Sequence, residues 1–119
     1  MTQFNDYTEE EKAEIQANLE LKEKLKRERE IEDIKQIMST EAGRRFVWRI
    51  TSSCGVFDIS FTNDPYVTAF NEGARNQGLM LLSDVMEFCA EQYLLMAEEA
   101  KEQEKINEFI STLTVSSPL

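Results

Sequence analysis

The stretch EAGRRFVWRITSSCGVFDISF, residues 41–61, decides how this chain is read. It contains the single tryptophan, Trp48, an adjacent pair, Arg44 and Arg45, and Cys54, Gly55 and three phenylalanines. A reaction centre, a nucleic-acid reader and the folding centre of a small binding module all draw on such residues. The spacing favours the last. Ser39-Thr40 can cap a helix from Glu41 to about Ser53, with Ala42, Phe46, Ile50 and Cys54 on one face and Val47 and Trp48 beside it. Gly55 is a good helix stop. Residues 56–61 then alternate. With no second strand to pair with, they are expected to form an extended connector whose aromatic side chains plug a helix bundle.

Outward from this stretch the chain is 119 residues long, enough for one domain. Most large apolar residues fall between 46 and 96, so the core is small. A unit of that size buries only about 60% of its extended surface and is marginal alone, which points to oligomerisation or a partner. The net charge is −10, and residues 1–40, 41–90 and 91–119 are each net acidic. That field repels phosphate and makes nucleic acid an unfavourable partner. Histidine is absent, which removes the commonest general base and transition-metal ligand. Cys54 and Cys89 form no CxxC and read as small buried hydrophobes. A polar N-terminus and the lack of a long apolar run predict a protein kept in a reducing cytoplasm, with no membrane span.

On the N-terminal side, residues 1–7 read as a loose arm. Thr8 and Glu11 make a capping box, and no glycine or proline follows until residue 43. Ile15, Leu19, Leu21 and Leu25 form a sparse stripe, interrupted by charged residues 26–30 before Ile31, Ile34 and Met38. A long, charged, protruding helix is expected; strict heptads do not persist along it, so a coiled coil with a copy or a partner is the lesser alternative. Ile31, Ile34 and Met38 should dock on the domain. On the C-terminal side, Asn63-Asp64-Pro65 starts a helix. Its apolar residues keep helical spacing from Phe70 to Met96, and the helix turns charged from Glu98 to Glu104. Gly73, Ala74 and Gly78 are expected to form a flat strip against Ala42 and Gly43. Ile106, Phe109, Ile110 and Leu113 end the pattern, with a frayed or partner-bound tail from Thr114.

Candidate chemistry is sparse. Arg44, Arg45 and Arg49 with Trp48 could contact RNA or single-stranded DNA by charge and stacking. The stronger reading is that Trp48 packs and the arginines pair with acids. Glu41, Arg44, Arg45, Glu72 and Arg75 are expected to form a structural charge network, and Trp48, Phe57 and Phe61 the core plug. Ser52-Ser53-Cys54-Gly55 looks superficially like a nucleophile turn but lacks a base. No spacing suits a carboxylate pair, a calcium loop or a phosphate-cradling glycine loop. No catalytic residue, cofactor, metal or small-molecule substrate is expected.

The order EAGRRFVWRITSSCGVF, then SF, then AFNEGARNQGLMLLSDV resembles a family of small tailed-bacteriophage proteins. The residues that carry the likeness run from Gly43, Arg44, Arg45 and Trp48 through Cys54, Gly55, Phe57 and Phe61. They continue through Glu72, Gly73, Arg75, Gly78, Leu79, Leu81 and Leu82. The resemblance implies a virion-morphogenesis product without enzyme activity. The expectation is an all-α protein: a charged arm and helix over 1–30, a helical core over 31–97, and a charged helical extension over 98–119. Its function would be protein contact within the virion, around the portal, internal core or tail. Partners would be other virion proteins and copies of itself, with Leu19, Leu25, Arg49, Ile106, Phe109 and Ile110 as interface candidates. It would reside in the host cytoplasm and then the virion. The alternatives are a non-virion regulator that captures a host protein through its acidic helix, and an ejected virion protein.

Overall fold

The computed structural model describes residues 3–116, with side chains described as far as residue 113. It is all-α: a short 3-10 turn at Phe4–Asp6 precedes α1 (Glu9–Met38), α2 (Glu41–Ser53), α3 (Pro65–Phe88) and α4 (Ala90–Ser116), with no strand among the described residues. The 3-10 turn replaces the loose arm expected over residues 1–7: Gln3 N–H donates to Asp6 Oδ2 at 3.0 Å. The expectations for residues 1–2 and 117–119 lie outside the described residues.

Local chemistry sets the helix starts. Thr8 N–H donates to Glu11 Oε1 and Glu11 N–H to Thr8 Oγ1, both at 3.1 Å, which closes the capping box before α1. Thr40 Oγ1 accepts from Gly43 N–H at 3.0 Å and caps α2. Asp64 Oδ1 accepts from Tyr66 N–H at 2.8 Å, and Pro65 fills the first turn of α3, where its missing N–H costs nothing.

The chain divides into two compact units, residues 1–33 and 34–119. In the first, no described residue is buried. In the second, Ile34, Met38, Val47, Val85, Cys89 and Met96 form the core, with Trp48, Leu81, Phe88 and Tyr93 packed against it. Helix α2 packs on both α3 and α4, and those two also touch each other. Thr51 is fully buried in this core and satisfies its hydroxyl on Val47 O at 2.9 Å.

Two features differ from expectation. The helix expected to run unbroken past Met96 breaks at Cys89, where φ −138° and ψ 45° leave the helical region. Neither glycine nor proline causes the break. Hydrogen bonds continue on both sides, Cys89 N–H to Val85 O and Tyr93 N–H to Cys89 O, each 2.8 Å. The bend lets Val85 and Met96, on different helices, enter one core with Val47 of α2. The connector also presents the opposite side from that expected. Val56 is its buried residue, at 7% exposure, while Phe61 is 76% exposed. Phe61 is therefore no part of a core plug, and Phe57 is half-exposed, touching Trp48 with ring centroids 5.2 Å apart.

Candidate functional site

The arginines of α2 do not form one network with Glu41, Glu72 and Arg75. Arg44 reaches across to α4, where Nε donates to Glu99 Oε1 at 2.8 Å and Nη1 to Met38 O at 3.0 Å. Both side chains are mostly buried, with 11% and 21% exposed, so this pair fixes α2, α4 and the end of α1 in one arrangement. Among the described residues Arg45 pairs with Glu41, one turn back at 3.3 Å on the exposed surface. Glu72 instead accepts a hydrogen bond from Ser60 Oγ and ties the connector to α3. Among the described residues no ion pair joins Arg75 to Glu41 or Glu72. Arg49 is exposed, its guanidinium 5.3 Å from the Phe46 ring centroid. The expected five-residue network is thus corrected to one buried pair and one surface pair, because Glu99 lies nearer to Arg44 in space than any acid of the middle segment.

The Arg44–Glu99 pair lies in an open groove of about 590 Å³ between α2 and α4. Arg45, Trp48, Met96, Lys101 and Glu104 are among its walls. Glu99 Oε2 is buried there without a hydrogen-bond partner among the described residues. The groove therefore combines apolar surface from Trp48, Met96, Ala97 and Ala100 with one underused acceptor.

The glycines also part company. A Cβ at Gly78 would stand 2.5 Å from Val56 Cγ2 and 2.7 Å from Cys54 Cβ, so α3 closely approaches the turn after α2. Gly43 is closer still: a Cβ there would stand 1.7 Å from Ile37 O, the backbone at the end of α1. Gly73 has nothing within 4 Å of that position, and Ala42 is exposed. The strip of Gly73, Ala74 and Gly78 against Ala42 and Gly43 is corrected accordingly. Ala74 is half-buried beside Cys54, Gly55 and the connector. Gly55, at φ 75°, occupies the left-handed conformation that ends α2.

Neither cysteine is disulfide-bonded. Burial raises the Cys89 thiol above its ordinary value of 9.0, only partly offset by the nearby Lys35 charge, so it stays protonated at neutral pH. Among the described residues no group of His, Cys, Asp and Glu could hold a metal ion, and no helix is long and apolar enough to cross a membrane.

The interface candidates lie on the surface. Leu19, Leu25, Ile106, Phe109 and Ile110 are all exposed, as are Leu94 and Leu95 on α4 and Tyr66 and Phe70 on α3. Sequence reasoning missed Glu99 as the partner of Arg44. The only available signal was an acid on a helix whose preceding turns are apolar.

Residues 34–98 match the Bbp19-like phage protein family, while no curated protein and no solved structure matches the chain. The match opens at the first residue of the second compact unit, and every buried residue described lies inside it. It covers more than half of the sequence and takes in the whole packed core, so the chain belongs to the Bbp19-like phage protein family.

Proposed function

We propose that this phage protein is a structural or assembly component of the virion, in the region of the portal, internal core or tail, and that it acts by contact rather than catalysis. One observation carries the reading. Among the described residues, eight apolar residues are buried while twenty large apolar residues are left exposed, and Ile106, Phe109, Ile110 and Leu113 recur at helical spacing along one face of α4. The exposed residues lie on all four helices, on the connector after α2 and on the N-terminal turn, where neighbouring proteins can cover them. The Cys89 thiol, raised by burial, is protonated and enclosed, which is unsuited to nucleophilic work. The acidic balance of −10 selects neutral or basic protein surfaces over nucleic acid.

Mass spectrometry of purified phage particles tests the proposal. The protein should be present in fixed proportion to the other virion proteins. Its absence from particles, with abundance in infected cells, would overturn the structural role in favour of a regulator that binds a host protein.

A further inference from the structure

We propose that α1 pairs, through residues 11–29, with the same segment of a second copy running antiparallel. The first compact unit has apolar residues but nothing of its own to cover them: Leu19, Leu21 and Leu25 are 52%, 53% and 54% exposed. Glu11, Ile15, Asn18, Lys22, Leu25 and Arg29 are spaced alternately four and three residues apart. That spacing keeps them on one seam of a helix facing a partner helix. Leu19 and Leu21 flank the seam. Along it Leu21, Lys22, Leu25, Lys26 and Arg29, with Asn18, line an open groove.

Charge decides the occupant and its direction. Residues 9–20 carry five acids and one base, whereas residues 21–29 carry five bases and two acids. The segment is a helix with an acidic half and a basic half. A parallel copy would set Glu11 against Glu11, Lys22 against Lys22 and Arg29 against Arg29. An antiparallel copy centred on residue 20 sets Glu11 against the partner's Arg29, Ile15 against the partner's Leu25, and Asn18 against the partner's Lys22. Leu19 and Leu21 then meet their own counterparts across the two-fold axis, so every exposed leucine of the unit is covered. Two flanking pairs carry like charge, Lys12 with the partner's Lys26 and Glu14 with the partner's Glu28. Lys12 is already held by Glu9 at 3.3 Å, which softens the first. The seam is about 27 Å long, which places the contact among small, weak interfaces. The pairing concerns α1 alone and does not depend on where in the phage life cycle the protein acts.

A charge swap in the full-length chain tests it. Sedimentation equilibrium of the wild type should show a reversible dimer, and Arg29→Glu or Glu11→Arg should each weaken it about tenfold or more, because each change places two like-charged pairs at the symmetric ends. The double variant, Glu11→Arg with Arg29→Glu, should restore the wild-type dissociation constant to within about threefold. Both sites are exposed, and Glu11→Arg also gives up the capping bond from Thr8 N–H, so circular dichroism should report unchanged folding for Arg29→Glu and no more than slight fraying at the start of α1 in the variants that carry Glu11→Arg. A wild type that remains monomeric at about 500 µM would overturn the proposal. So would a dimer indifferent to the single changes, or one that the double change fails to rescue.

Discussion

Residues 34–98 and residues 9–33 are both helical, yet they are helical for different reasons. The first region holds every buried residue described, and its helices are fixed by side chains from other helices. The second holds none, and its helix rests on backbone propensity, a capping box and surface ion pairs. Tertiary burial usually supplies most helix stability, and propensity alone leaves isolated helices marginal. The family match covers the region with the core and stops short of the region without one. The matched segment is therefore the folding unit of this chain, and residues 9–33, outside the match, are surface.

That contrast can be broken most sharply at the glycines. Gly43→Ala forces a methyl group into the backbone carbonyl of Ile37, and a backbone atom cannot step aside as a side chain can. It should cost about 4 kcal/mol in chemical denaturation. Gly78→Leu collides with Val56 and Cys54 and should cost about 3 kcal/mol. Should Gly78→Leu melt with the wild type, the close approach of α3 to the turn after α2 is wrong. Arg44→Ala leaves Glu99 buried without its cation, and a loss of about 2 kcal/mol is expected for a pair that is mostly but not wholly buried. A matching loss in Arg45→Ala would show that the buried and surface pairs do not differ.

Smaller effects sharpen the same contrast. Gly73→Ala meets open space in a helix interior and should raise stability by about 0.5–1 kcal/mol. In the coreless region, Lys26→Ala and Leu21→Ala should stay within about 0.5 kcal/mol of wild type when measured on the monomer. Alkaline pH offers a further check. The Cys89 thiol is raised in the folded state, so the unfolded chain loses this proton first. Stability should therefore fall as pH rises past the ordinary value of 9.0, and Cys89→Ser should flatten that part of the profile.

Much of the fold was legible because local chemistry specified it. Thr8 with Glu11, Thr40, and Asp64 with Pro65 each marked a helix start, and Gly55 marked a stop. The tight approach at Gly78 was readable from a glycine inside an apolar helical pattern, although its neighbours proved to be Cys54 and Val56. What escaped depended on distant residues. The break at Cys89 has no local signal, because it arises from packing Val85 and Met96 against one helix. The alternation of residues 56–61 showed two sides without showing which would face inward, and Val56 took that place while the aromatics stayed outside. Arg44 found its acid 55 residues away, beyond the reach of any spacing rule.

Amide hydrogen exchange on the full chain, at a concentration low enough to keep it monomeric, tests the division between the two regions most directly. Amides around Val47, Val85 and Met96 should exchange only through global opening, while those from residue 12 to residue 30 should exchange faster by about two orders of magnitude or more. Equal protection along both regions would contradict the claim that stability resides in the matched unit and that the N-terminal helix is surface awaiting a partner.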